Sequence, residues 1–176
     1  IPNDTPADGD WVQALNSATE AIGWEKPPGK NRGRGVSLGL KSSSTASASF
    51  AIVRLHFDGS ASVLSATSDM GQGARTVFTQ IAAGELGIDP GRITIVMGDT
   101  AVVPFDSSTS ASRSTVFMGN AIMKACADIR MQLQKMAAQA FVLAQDAITV
   151  GGGLVRTAAK TWTYADFLGI YFGPPR

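Results

Sequence analysis

Thiols and imidazoles are scarce in this 176-residue sequence, which has one cysteine, Cys126, and one histidine, His56. A single cysteine excludes an internal disulfide and any zinc or iron–sulfur site built from several thiolates of the chain. A single histidine excludes a two-histidine metal site. Charge is sparse, at 16% of residues, and nearly balanced, at a net +1. No strong field of either sign would draw the chain to nucleic acid or to a membrane surface. No run of about 18 apolar residues occurs, so no segment reads as a bilayer span. No signal peptide is recognised at the start, which makes the cytoplasm the expected compartment and leaves the periplasm open. What is present is an apolar fraction of 44%, too high for a disordered tail. At this length it is enough for one core without staples.

Periodicity assigns the elements. Trp11, Leu15, Ala18 and Ile22 share a helical face, with Asp10 able to cap the start and Gly23 the end. The Pro/Gly-rich connector from Trp24 to Gly35 carries Lys26, Lys30, Arg32 and Arg34. It reads as a solvated loop, because no aromatic residues interleave with these charges as in a nucleic-acid contact. Val36–Lys41 alternates weakly. Ala48–Phe57 and Ser60–Ser68 read as strands joined at Asp58-Gly59. A two-residue type I′ turn there would set Val53 opposite Leu64 and Ala51 opposite Ala66, with His56 as surface decoration near the tip. A helix is expected from about Gly73, with Val77, Phe78, Ile81, Ala82 and Leu86 inward and Gly87 as its stop. Arg92–Met97 reads as a buried strand. The longest helix carries Met118, Ile122, Ala125, Ile129, Leu133, Met136, Ala140 and Leu143 at spacings of three and four, and Cys126 beside them reads as core filler. A second hairpin turns at Gly151-Gly152-Gly153, and Thr163 with Asp166 resembles a capping box. The expected fold is α+β, a mixed, mostly antiparallel sheet with helices packed on it.

Two segments carry polar residues that no core needs. Met70-Gly71-Gln72-Gly73 lies between a strand and a helix. Its glycines permit positive φ and a close backbone approach, the helix start offers amides to an anion, and Gln72 can donate and accept. An ordinary strand-to-helix turn would have the same spacing. The second segment, Thr109 to Thr115, crowds hydroxyls and Arg113 at the start of the longest helix. One hydroxyl suffices for a cap; the surplus, with a guanidinium suited to bidentate phosphate binding, suggests a cradle for a phosphorylated cofactor. A flexible Ser/Thr loop is the competing reading. No Gly-Lys-Ser or Gly-Lys-Thr occurs, so this is not a Walker loop.

The ordered set Asp58-Gly59-Ser60, Asp69-Met70-Gly71-Gln72-Gly73, Thr79-Gln80-Ile81-Ala82-Ala83, Glu85-Leu86-Gly87-Ile88, Gly98-Asp99-Thr100, Pro104, Ser108 to Thr115 and Gly119-Asn120-Ala121 resembles the large, molybdopterin-binding subunit of the xanthine dehydrogenase, aldehyde oxidase and carbon monoxide dehydrogenase family. The likeness runs from about Gly33 to about Ala140. It implies that Gln72 bonds the cofactor near its dithiolene or a metal oxo group, supported by Met70, Gly71 and Gly73. It implies that Ala111 lies close to the metal and that Thr109, Ser112, Arg113 and Ser114 hold the pterin and its phosphates. The implied cofactor is molybdenum-molybdopterin, plain or as the cytosine dinucleotide. The implied partners are the remainder of the subunit, 2Fe-2S clusters and FAD or another acceptor on neighbouring domains or subunits, and a small-molecule substrate.

No residue here is expected to ligate molybdenum, which the family holds by the pterin's sulfurs, and none is expected to be catalytic. The family's G-G-G-F-G-G loop and its glutamate in a G-x-G-E context are absent. The chain opens at Ile1-Pro2-Asn3-Asp4 without methionine and closes at Gly173-Pro174-Pro175-Arg176. The expectation is one domain over 1–176 cut from a larger subunit. An N-terminal helix and linker would span 1–32, a core with the cofactor loops 33–145, and a hairpin with a terminal helix 146–176. Alone it should be inactive and prone to self-association through apolar surface meant for its neighbours. A stand-alone phosphate- or nucleic-acid-binding module without catalysis is the alternative.

Overall fold

A computed structural model describes residues 9–39 and 47–173, which fall into two compact units, considered separately. In the first unit, helix α1 spans Trp11–Ala21. Asp10 caps it, its side chain accepting from the Gln13 amide at 2.8 Å. Gly23, at φ +62°, turns the chain away. No residue of α1 is buried, so the expected apolar face has no cover there. In the connector that follows, Arg34 donates to the carbonyls of Gly23 and Lys26. Residues 36–39 form no strand; Leu40 and Lys41, the rest of the weakly alternating stretch, lie outside the described residues.

The second unit is α+β with two small sheets. Strands β1 (Ala51–Leu55), β2 (Ala61–Ser65) and β3 (Ile93–Met97) lie in that order, β1 antiparallel and β3 parallel to β2. Helix α2 (Ala74–Leu86) connects β2 to β3, as a parallel pair requires. Helix α3 (Gly119–Phe141) packs beside α2 and across β1. Val63, Phe78, Ala82, Leu86, Ile95, Ile122 and Cys126 meet in the core. Burial pushes the Cys126 thiol up to about 11, which fits filler rather than a reactive group.

The second sheet is antiparallel, β4 (Thr149–Gly151), β5 (Leu154–Arg156) and β6 (Thr161–Thr163), and is followed by α4 (Tyr164–Phe172). Strand β6 had no expectation; three residues are too few to show a period. Thr163 and Asp166 form the capping box in full. Phe141 of α3 stacks on Trp162 of β6 at 4.5 Å between centroids. Among the described residues, no helix is long and apolar enough to cross a membrane.

The first hairpin corrects the expected register by one residue. Val53 faces Val63 and Ala51 faces Ser65. The loop is Phe57-Asp58-Gly59, not Asp58-Gly59 alone, because His56 pairs with Ser60 (His56 N to Ser60 O 2.8 Å) and Gly59 N closes onto His56 O at 2.9 Å. Gly59 at φ +79° forms the bulge, and Asp58 accepts from both the amide and the hydroxyl of Ser60. That side chain favours the longer turn. His56 is exposed, and its Nε2 lies 2.7 Å from Ser62 Oγ. The second hairpin does turn on two residues, Gly152 and Gly153, at φ +61° and +72°.

This second turn docks on the end of α2. Gly153 N donates to Leu86 O at 2.9 Å, and the buried Tyr164 hydroxyl donates to the same carbonyl at 3.0 Å. A Cβ on Gly87, itself at φ +70°, would lie 2.2 Å from Gly152 Cα. Gly87→Ala should therefore lower stability by well over about 1 kcal/mol in urea denaturation, through strain and a backbone clash. Gly84→Ala, on the exposed side of α2 with open space around it, should be neutral or slightly stabilising. Equal midpoints for the two variants would contradict the docking.

Candidate functional site

Both polar segments lie at helix starts and face one groove. It has a volume of about 520 Å³, with Met70 and Gln72 on one side and residues 109–115 on the other. The structure thus brings together Met70, Gln72, Thr109, Ala111, Ser112, Arg113 and Ser114. Gly71 and Gly73 do not line the groove; they shape the first loop, at φ +99° and +78°.

The first loop is tied within itself. Asp69 Oδ1 accepts from Gly71 N at 3.0 Å and Oδ2 from Arg75 N at 3.1 Å. The Arg75 and Gly71 amides hold the Asp69 carboxyl below its ordinary range. Gly73, at the N-cap position, has no side chain to cap α2, so Asp69 does that work from outside the helix. This corrects the expectation of a fully open amide set at this helix start: the Arg75 amide already has a carboxylate. Gln72 folds over the same turn, its Oε1 accepting from Met70 N at 2.6 Å and its Nε2 donating to Ser68 O at 2.9 Å. One amide hydrogen and one lone pair stay available on a side chain exposed at the groove.

The second loop is built differently. Ala111 and Ser112 are consecutive residues in the left-handed region, at φ +48° and +60°, a conformation costing each on the order of 1 kcal/mol. No hydrogen bond of the described residues uses their two amides. The chain then enters α3 through one π-helical turn, Ser114–Met118, a form frequent at functional sites. Among the described residues, Ser114 Oγ is buried without a partner.

Arg113 corrects the sequence expectation most sharply. Its guanidinium was expected to grip phosphate, yet it points inward and is 2% exposed. Nε donates to Ser47 Oγ at 2.7 Å and Nη1 to Ser108 O. Nη2 donates to Ala48 O, Ser49 Oγ and Asp106 Oδ1 at 3.0, 3.0 and 3.1 Å, and Phe117 lies under the group at 5.3 Å. A buried cation needs an anion and a full set of acceptors, and here it finds both behind the groove. Asp106, which drew no expectation, is that anion. Burial alone would raise its carboxyl, but hydrogen bonds from Thr67, Ser49, Arg113 and the Ser107 amide outweigh burial and hold it below the ordinary value. The available signal was an arginine in an uncharged Ser/Thr run with one carboxylate a few residues before it. Glu85 pairs with Arg130 at 2.8 Å, and Asp99 accepts from Ala101 N. Among the described residues, no three His, Cys, Asp or Glu side chains group so as to hold a metal ion.

Because the folded state binds the Asp106 proton more weakly than the unfolded chain, the pair's stabilisation is complete above about the ordinary value of 3.8. It is lost as pH falls through the lowered one. Asp106→Asn should lower stability near pH 7 by about 3 kcal/mol, since it strands a buried guanidinium. It should also flatten the acid limb of the stability curve below pH ~4. Chemical denaturation across pH measures both, and an unchanged acid limb would contradict this role for Asp106.

A family model described as "Molybdopterin cofactor-binding domain" matches residues 10–173. The chain is 32% identical over 127 residues to the probable hypoxanthine oxidase XdhD of Escherichia coli, covering 69% of this chain and 13% of that protein. It is 41% identical over 86 residues to the carbon monoxide dehydrogenase large chain of Hydrogenophaga pseudoflava, covering 49% and 11%. Reconstituted CO dehydrogenase from Oligotropha carboxidovorans has a similar structure, with a TM-score of 0.66 and 30% identity over 73% of this chain and 16% of that one. The chain thus spans roughly an eighth of the length of these two curated relatives.

Proposed function

The chain belongs to the molybdopterin cofactor-binding domain family, and on that premise we propose that the groove between its two loops holds part of a molybdopterin in a molybdenum-dependent oxidoreductase. The observation that carries this reading is Ser114, a residue of the groove lining whose hydroxyl is buried with no partner among the described residues. A buried hydroxyl left unbonded is costly, and an oxygen-rich ligand in the groove relieves that cost. The donors around it fit the same chemistry: the Ser112 and Thr115 hydroxyls, the Ala111 and Ser112 amides and the remaining Gln72 hydrogen suit phosphate oxygens and a pterin edge, while the Thr109 hydroxyl, which gives its proton to Ser68 O, can only accept.

In this reading Gln72 fixes the first side of the ligand, its orientation set by Met70 and Ser68. Ala111 and Ser112 present backbone amides from the second side, and Ser114 donates from the wall. Arg113 contributes no direct grip. When bound, the group supplies a molybdenum centre able to take two electrons from substrate, the metal resting on the pterin's own sulfurs. The parent protein would hydroxylate an aldehyde, a heteroaromatic ring or carbon monoxide with water as oxygen source. Iron–sulfur and flavin modules beside it would receive the electrons, and the pterin would be plain or the cytosine dinucleotide. No glutamate in the G-x-G-E context that the family resemblance implies for its base occurs in these 176 residues, so alone they should be inactive. Exposed Phe57, Ile170 and Phe172 supply apolar surface for the rest of the polypeptide. A stand-alone phosphate- or nucleic-acid-binding role draws no support, because Arg113 is committed to inward contacts and Arg34 to its own connector.

Ser114→Ala and Gln72→Ala in the full-length protein test the reading. Molybdopterin per polypeptide, measured as fluorescence of the oxidised pterin, should fall about tenfold in each. Because Ser114 Oγ bonds nothing among the described residues, Ser114→Ala should leave the stability of the cofactor-free form unchanged. Wild-type protein without pterin or molybdenum, or variants that load like wild type, would overturn the proposal.

A further inference from the structure

Behind the groove, Asp106 and Arg113 are an ion pair whose side chains are 4% and 2% exposed, and between them they hold both loops. Asp106 Oδ2 accepts from the Thr67 hydroxyl at 2.6 Å. Thr67, itself 2% exposed, leads through Ser68 into the Met70–Gly73 turn. The other oxygen, Oδ1, meets Arg113 in the middle of the second loop. One carboxylate thus joins the chain entering the first loop to the chain within the second. The guanidinium also binds Ala48 O and the hydroxyls of Ser47 and Ser49, and Ser49 donates back to Asp106 Oδ1 at 2.7 Å. The cluster is therefore braced from a third segment. Movement of Thr67 or of Arg113 breaks a buried, charge-assisted bond. Nearer the surface, the Thr109 hydroxyl crosses the same gap to Ser68 O at 3.4 Å. Directly before Arg113 stand Ala111 and Ser112, whose left-handed conformations persist only where the surroundings enforce them.

We propose that Asp106 and Arg113 are positioning residues, a buried clamp that sets the distance between the two loops at which the groove takes up a pterin, without either side chain touching it. The inference rests on the cofactor-binding reading above. It assigns Arg113 a role through the backbone it holds, in place of a direct bond to phosphate.

The test uses the full-length protein with Thr67→Val and Asp106→Asn. Phe78→Leu, a change in the core away from the groove wall, serves as a control for general loss of stability. Thermal midpoint, pterin fluorescence per folded polypeptide and hydrogen exchange at the Arg113 and Val116 amides, which donate to Ser110 O and Ser112 O, in the cofactor-free form are the readouts. Thr67→Val and Asp106→Asn should each lower pterin content about tenfold and speed exchange at the Arg113 and Val116 amides. Phe78→Leu should lower the midpoint while leaving both other readouts near wild type. The clamp is overturned if Thr67→Val loads pterin like wild type, or if Phe78→Leu loses as much pterin as the clamp variants at a matched midpoint. Should Asp106→Asn fail to fold, Thr67→Val, which removes one hydroxyl from the clamp, decides. A wild-type protein free of pterin would overturn the cofactor-binding reading instead, an outcome distinct from wild-type loading shared by the variants.

Discussion

A guanidinium sealed from water is the constraint around which the second unit is organised. Arg113 would be costly to bury alone, so the chain surrounds it with acceptors drawn from residues 47–49, 106 and 108. Those acceptors fix how the Ser/Thr-rich loop leaves the protein. With the side chain anchored inward, the preceding Ala111 and Ser112 are held in conformations that alanine and serine otherwise avoid. The following turn opens to a π spacing before α3 regularises. An apolar pair of similar volume could fill the same space at no loss of stability. It could not place a carboxylate oxygen on Thr67 and a second on Arg113 at once. The value of the pair is the shape it imposes on the groove.

That shape explains the division of labour among the polar residues. The first loop is self-contained: Asp69 caps α2, Gln72 closes over the turn, and the glycines at 71 and 73 supply the backbone freedom. The second loop is supported from behind and leaves the Ala111 and Ser112 amides and the Ser112 and Thr115 hydroxyls unspent among the described residues. A ligand in the groove meets one preformed amide side chain and one row of hydroxyls and amides, with little left to reorganise. The exposed Asp69 carboxylate is occupied by helix-start amides, and Asp106 neutralises Arg113 behind the groove. What the groove presents is a set of neutral hydrogen-bond donors.

The sequence made the helices and the site's location legible, and left its internal wiring hidden. Helices α2 and α3 announced themselves through Phe78, Ala82, Leu86, Ile122 and Leu133, which recur at helical spacing and are buried. The Thr163–Asp166 cap followed from residue types three apart. Yet α3 stops at Phe141, so Leu143 is exposed beyond the helix that its spacing suggested. The first hairpin slipped by one residue because an Asp-Gly pair is compatible with loops of two or three residues, and the choice fell to the Asp58–Ser60 bonds. Both candidate loops were visible from glycine and hydroxyl enrichment. The direction of Arg113 was not, because its partners Ser47 and Ser49 are more than sixty residues away along the chain. No local pattern can say whether a guanidinium in a serine run turns outward to phosphate or inward to a carboxylate that tertiary folding brings up behind it.

The most direct measurement is an experimental structure of the full-length protein isolated with its cofactor. The account predicts a pterin or phosphate oxygen at about 3 Å from Ser114 Oγ, on the groove side of Gln72, with the Arg113 guanidinium still paired to Asp106. A pterin bound elsewhere, or an Arg113 that has left Asp106 to bind phosphate directly, would contradict it.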